Sequence, residues 1–178
     1  MMEKLNMIIG AFFSEAGTEL ISYFSDINTE LHKIKDCLIV TNEWSAKEFL
    51  KIHKQLKECE YNIDIKGADL EKLRRFLLGK RGFFIRLLEN PILLEHERFT
   101  DLLWAVFHLT EELAHRKDLG QLPDTDYKHL EGDIKRVYGL LMRQWLDYMG
   151  HLKNSYPYLF SLAMRTNPFD NAASVVVK

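Results

Sequence analysis

Acidic and histidine side chains recur at helical spacing along the segment 95–116, a pattern typical of a metal site carried by a helix. His108 and Glu112 are four residues apart, and Glu112 begins a Glu-x-x-His sequence that ends at His115. Side chains three or four residues apart lie on the same face of a helix, so these three could bind one ion together. Imidazole and carboxylate groups are ligands of transition metals, and helical di-iron proteins use the Glu-x-x-His unit twice.

A second segment, 124–153, carries further acid/His pairs at the same spacing. His129 and Asp133 are four residues apart, and so are Asp147 and His151. Two such helices facing each other could bind a transition metal ion. One functional hypothesis is therefore a metal-dependent, di-iron-like helical-bundle enzyme or a metal sensor. Its candidate ligands are His108, Glu112, His115, Asp147 and His151.

Three features favour a simpler interpretation, in which these residues form exposed polar faces with local ion pairs. The sequence contains one Glu-x-x-His unit, whereas a di-iron bundle needs two and further glutamates. On a helical wheel, the acid/His residues of both segments lie opposite the apolar arc. No other predicted helix carries an inward acid at a matching level. The main prediction is accordingly that the protein has neither a cofactor nor a metal.

Apolar residues at helical period predict an all-α fold, a single-domain bundle of five to six helices. Ser45 and Glu48 form a capping box at the start of one helix. At most a minor two-stranded ribbon is expected, near 37–40 and 61–65. The domain is expected to span 1–170, with a flexible tail at 171–178. The predicted helical spans are five long ones, 3–24, 45–59, 68–89, 95–116 and 124–153, and two short ones, 28–35 and 156–165.

Composition is typical of a globular protein and excludes several classes. The chain has 178 residues, of which 47% are hydrophobic and 28% charged, with a formal net charge of −2. Cys37 and Cys59 are too few and too far apart for a disulfide framework, which suggests a reducing compartment. The apolar run 7–13 is shorter than the roughly 20 residues of a membrane span, and no signal cleavage site follows it. We therefore expect a cytoplasmic protein.

One basic block, 70–86, suggests nucleic acid or an anionic membrane surface as a ligand. Phe76, Phe83 and Phe84 are interleaved with its cations. On the helical wheel, however, these rings lie on the apolar arc and are expected in the core, so we do not expect nucleic acid as a partner. The sequence contains no phosphate loop, dinucleotide fingerprint, nucleophile elbow or His-Glu-x-x-His motif. No catalytic residue is predicted.

Three segments, 5–15, 87–112 and 156–169, resemble a family of uncharacterised prokaryotic helical proteins. The resemblance covers most of the chain and implies a helical fold. In members of that family a hydrophobic N-terminal segment, interpreted as a membrane anchor, precedes the helical domain. The resemblance therefore implies a position at the inner face of a membrane. It implies no activity and no site residue.

The wide apolar stripe of the first helix suggests what the domain does. Such a stripe must be buried, either in the domain's own core or against another protein. We predict a non-catalytic interaction or regulatory module that binds a protein partner, or a second copy of itself, through this helix. The stripe consists of Leu5, Ile9, Phe12, Ala16, Leu20 and Tyr23.

Overall fold

The computed structural model describes residues 2–177, and almost all of its regular structure is helical. The one β pairing in this part of the chain is a single antiparallel bridge between Asn28 and Ile63. The all-α prediction is thus confirmed. The helices are α1 Met2–Phe12, α2 Thr18–Ile27, α3 Ala46–Glu58, α4 Leu70–Leu88, α5 Glu97–His115, α6 Asp124–Ser155 and α7 Pro157–Arg165.

α1 and α2 form one continuous rod, as the predicted helix 3–24 requires, with a π-helical turn at Phe13–Gly17 between them. The apolar stripe of this rod packs into the protein's own core. Leu5, Ile9, Phe12 and Ala16 are all buried. Of the two ways to bury the stripe, the intramolecular one is therefore realised. Binding of a partner through this helix stays a prediction, and would use its exposed residues.

α6 is the central helix, in contact with α1, α2, α3, α5 and α7. Because it has neighbours on several sides, it buries more than one stripe of side chains. α5 packs between α4 and α6, and its apolar residues Phe99, Leu102, Val106 and Leu109 are fully buried. Phe12 of α1 makes an edge-to-face contact with Phe99, with ring centroids 5.3 Å apart.

Between α2 and α3 the chain is mostly irregular. Two short 3-10 helices, Leu31–Lys33 and Lys35–Leu38, lie where the helix 28–35 and the strand-like run 37–40 were predicted. The run 37–40 does not pair with 61–65, because the latter segment bridges to the end of α2 instead. The capping box is confirmed in part, since the Ser45 hydroxyl accepts a hydrogen bond from the backbone N–H of Glu48.

Within residues 2–177, no helix combines the length and the apolar character that a membrane crossing needs. Cys37 and Cys59 are both free thiols. The flexible tail proposed for 171–178 stays a prediction, and its last residue lies outside the described part of the chain.

Candidate metal centre

α5 and α6 form an antiparallel hairpin, joined by the connection 116–123. Because the apolar faces of the two helices pack together, the residues beside these faces are brought close across the interface. The second half of α5 therefore lies beside the first half of α6. His108 and Glu112 project from α5 here, and His129 and Asp133 project from α6.

These four side chains converge, and their ligand atoms all lie within 4.8 Å of one another. His108 Nε2 is 3.5 Å from Glu112 Oε1 and 3.3 Å from Asp133 Oδ2. His129 Nε2 is 3.4 Å from Glu112 Oε1 and 3.3 Å from Asp133 Oδ2. Each imidazole nitrogen is thus close to both carboxylates. We call this group the His/carboxylate cluster.

Four of the six distances between ligand atoms match those around a tetrahedral ion. Zinc binds imidazole nitrogen and carboxylate oxygen at about 2.0–2.1 Å, which puts the corners of a regular tetrahedron about 3.3–3.4 Å apart. The four nitrogen–oxygen distances, 3.3 to 3.5 Å, agree with this value. The nitrogen–nitrogen and oxygen–oxygen separations lie within 4.8 Å, so an ion at the centre could bind all four atoms after the side chains adjust around it.

Asp133 gives independent support for a ligand at this point. Its side chain is 4% exposed, and its Oδ2 is buried without a hydrogen-bond partner. A carboxylate oxygen without a hydrogen bond is costly to bury, so this oxygen requires either a protonated imidazole beside it or a metal ion. The helical wheel predicted an exposed position, but α6 is covered on more than one side, so Asp133 is enclosed by the α5–α6 interface.

Two arginines hold the carboxylates by their other oxygens. Arg116 donates to Glu112 Oε2 at 2.6 Å and makes a bidentate contact with Asp126 at the start of α6. Arg136 donates to Asp133 Oδ1 at 3.1 Å. Such contacts orient a metal-binding carboxylate and leave one oxygen available for the ion.

The same contacts keep Glu112 ionised. The hydrogen bond from Arg116 lowers the pKa of Glu112 below its usual value, and His129 lowers it further against the opposing effect of burial. Arg116 itself has a raised pKa, chiefly because it donates to Asp126. A carboxylate must be deprotonated to bind a metal, so this charge network favours binding.

The other residues of the predicted ligand set lie elsewhere. His115 is exposed at the end of α5, with its Nδ1 2.7 Å from the carbonyl oxygen of Glu111. Asp147 and His151 lie in the second half of α6, beside α1 and the start of α5. The structure therefore brings His108 and Glu112 together with His129 and Asp133. It does not bring them together with His115, Asp147 or His151.

The cluster differs from a di-iron centre. Among residues 2–177 it is the one group of three or more His, Cys, Asp and Glu side chains whose ligand atoms converge in this way. It has two carboxylates, whereas di-iron bundles supply four together with two histidines. The arrangement fits one ion rather than two.

Comparison with known proteins assigns the chain to a family. A family model described as the C-terminal helical domain of the uncharacterized protein MJ1433 matches residues 1–165. The uncharacterized protein MJ1433 of Methanocaldococcus jannaschii is 48% identical over 175 residues, covering 98% of this chain and 70% of the relative. No solved structure matches. The predicted resemblance to uncharacterised prokaryotic helical proteins is confirmed, and the chain belongs to the family of the MJ1433 C-terminal helical domain.

Proposed function

We propose that this protein is a metal-binding helical domain in which one divalent transition-metal ion links α5 to α6. The observation that carries the proposal is the buried Oδ2 of Asp133, which lacks a hydrogen-bond partner and lies 3.3 Å from two imidazole nitrogens. An ion bound there would satisfy this oxygen together with the three other ligand atoms.

Zinc is the metal that the ligand set favours. Two imidazoles and two carboxylates in a tetrahedral arrangement suit Zn²⁺, whereas Mg²⁺ and Ca²⁺ prefer six or more oxygen ligands. Cobalt(II) should bind in the same geometry but more weakly, as the Irving–Williams order predicts.

The proposed role is structural or regulatory. Four protein ligands fill a tetrahedral shell, whereas catalytic zinc sites keep one position open for water or substrate. Both histidine side chains are about half exposed, at 47% and 49%, so an ion can enter from solvent. An accessible site between two long helices suits a domain whose stability responds to metal. This combines the predicted regulatory module with the predicted metal site.

Metal titration of untagged, metal-stripped protein by calorimetry tests the proposal. We expect one Zn²⁺ per chain, with binding strongly weakened in His108→Ala and His129→Ala. His115→Ala is the matched control, because it removes an exposed imidazole from the same helix without touching the cluster. The proposal would be refuted if the wild-type protein showed no saturable binding of Zn²⁺. It would also be refuted if His115→Ala lost as much zinc affinity as His108→Ala and His129→Ala.

Protein interaction is a second candidate function, favoured by exposed apolar residues on α7. Tyr158 is 71% exposed, Leu159 39% and Leu162 44%. Neighbouring exposed apolar side chains of this kind are typical of contact surfaces. Light scattering tests for self-association, and the double variant Leu159→Ser, Leu162→Ser should abolish any dimer. A dimer unaffected by these changes would point to another surface, such as the exposed side of α1.

The charges of the basic block support a membrane-proximal role less well than the structure supports metal binding or protein interaction. Arg74, Lys80 and Arg81 of the basic block are paired with Glu71, Glu15 and Glu111. These pairs reduce the positive charge available to an anionic surface. Cosedimentation with anionic vesicles tests the role, and salt-sensitive binding to them would establish it.

A further inference from the structure

A cavity of about 680 Å³ lies at the end of the molecule where α1, the start of α5 and the second half of α6 meet. Its volume falls within the range of small-molecule binding sites, about 300–1,000 Å³. The His/carboxylate cluster contributes no residue to it. The cavity is therefore a separate feature, which the proposed metal binding does not explain.

One face of α6 supplies its polar lining. Gln144, Asp147, Tyr148 and His151 follow each other at intervals of three, one and three residues, so they lie along a single helix face. This face is directed at α1 and the start of α5. Gln144 is only 4% exposed. A buried amide is costly unless it is hydrogen-bonded, whereas Asp147 is exposed and Tyr148 and His151 are half-buried.

These side chains have unused hydrogen-bonding capacity. Gln144 makes no side-chain hydrogen bond within residues 2–177. Asn6 donates to Nδ1 of His151 at 3.3 Å, so in the neutral ring Nε2 carries the proton, and this buried N–H has no acceptor. The amide of Gln144 is thus left free beside the cavity, whereas Nε2 of His151 is buried and not accessible from it.

The carboxylate of Asp147 is also incompletely paired. Its nearest cationic atoms are His53 Nε2 at 3.5 Å and Arg98 Nη1 at 3.7 Å. Both distances exceed the roughly 2.7–2.9 Å of a charge-assisted hydrogen bond. The Asp147 side chain is 42% exposed, so a ligand in the cavity can reach its carboxylate. Burial of the rest of the side chain raises its pKa, against the opposing effect of His53 and Arg98.

The charge of the lining favours a cation. Three carboxylates, from Glu95, Glu97 and Asp147, surround the cavity with one guanidinium, from Arg98. Burial lowers the pKa of His151, so its ring is neutral at neutral pH. An ammonium group would give Asp147 the close partner that it lacks.

One further feature defines the rest of the ligand. Apolar side chains complete the wall and suit a short hydrocarbon chain. These are Met2, Ile9 and Leu94.

We propose that this cavity binds a small aliphatic amine, with its ammonium group on Asp147 and Gln144. The hydrocarbon part packs against Ile9 and Leu94. The site is independent of the metal, so His108→Ala leaves binding unchanged.

Titration of the full chain with aminobutanol, followed by two-dimensional NMR, tests the proposal. A probe this small is expected to bind in the millimolar range. Butanediol lacks the ammonium group, and succinate carries negative charges in place of the positive one. Each should bind at least about tenfold more weakly than aminobutanol. Saturable shifts confined to residues lining the cavity would support the proposal.

Asp147→Asn is the decisive variant, because it removes the charge and keeps the size of the side chain. It should lose at least about tenfold in aminobutanol affinity while keeping the wild-type melting temperature. Glu58→Gln, a loss of charge at an exposed site outside the cavity, is the matched control and should bind normally. No saturable binding to the wild type, equal binding of butanediol or succinate, or unchanged binding by Asp147→Asn would each overturn the proposal.

Discussion

Replacing Asp133 by asparagine should separate the stability of the fold from the stability that a metal adds. The substitution keeps the shape of the side chain and removes one anionic ligand. Without metal, we expect little loss of stability, because Oδ2 of Asp133 has no hydrogen-bond partner to lose. The new amide can also donate to a neutral imidazole nitrogen, of which two lie 3.3 Å from Oδ2.

With zinc bound, the melting temperatures of the wild type and of Asp133→Asn should differ clearly. At a free metal concentration one hundred times the Kd, binding stabilises the wild type by about 2.7 kcal/mol. For a domain of this size, 1 kcal/mol shifts the melting temperature by about 2–4 °C, so zinc should raise it by about 5–11 °C. If the variant loses about 100-fold in affinity, the gain at the same concentration falls to about 0.4 kcal/mol, or about 1–2 °C.

Thermal unfolding followed by circular dichroism, with and without zinc, measures both effects. Asp101→Asn serves as the control, since Asp101 is an exposed aspartate of α5 outside the cluster. It should show the full zinc-induced rise. The reasoning is refuted if Asp133→Asn keeps a wild-type zinc response. A metal-free variant that unfolds far below the wild type would instead show that Asp133 is a structural ion-pair residue.

Three other substitutions test the account. Arg116→Met removes the donor that orients Glu112, and should weaken zinc binding about 10–100-fold in a calorimetric titration. Gly10→Ala places a Cβ 2.6 Å from the Tyr148 hydroxyl, and should destabilise the protein by about 1–3 kcal/mol in urea unfolding, with partial rescue by Tyr148→Phe. Asn167→Ala leaves the carbonyl oxygen of Leu38 and the backbone N–H of Phe169 unpaired, and should cost about 1–3 kcal/mol in the same assay.

The helices were predictable because apolar residues recur at helical period over long segments. The span 95–116 differs from α5 by two residues at its start and one at its end, and 124–153 differs from α6 only at its end. The region 28–40 was harder, since short apolar runs do not distinguish strand from helix. Its two 3-10 turns depend on tertiary contacts that no local pattern reveals.

The cluster could be predicted only in part. Periodicity places His108 and Glu112 on one face of α5, and His129 and Asp133 on one face of α6, but it does not say which pairs meet across the interface. The antiparallel hairpin determines which residues of the two helices meet. Glu112 and His129 are equally distant from a midpoint near Gly120, and so are His108 and Asp133. Residues so placed lie opposite each other, and this signal could have identified the four ligands.

Asp147 and His151 illustrate why spacing alone was insufficient. They repeat the acid/His pattern and share a cavity with Glu95, His96 and Glu97, but these side chains do not converge as the cluster does. The cavity is also bounded by α1, whose packing on α6 cannot be derived from the periodicity of either helix. The burial of Asp133 has the same origin, because the number of neighbours around α6 is a property of the whole fold.

The central claim, one tetrahedral metal site between α5 and α6, is tested most directly with cobalt(II). Tetrahedral Co²⁺ absorbs visible light much more strongly than octahedral Co²⁺, so a titration of untagged, metal-stripped protein reports both stoichiometry and geometry. We predict intense visible bands that saturate at one equivalent, disappear on addition of zinc, and are absent from His129→Ala. Weak bands without saturation, or strong bands that persist in that variant, would contradict the claim.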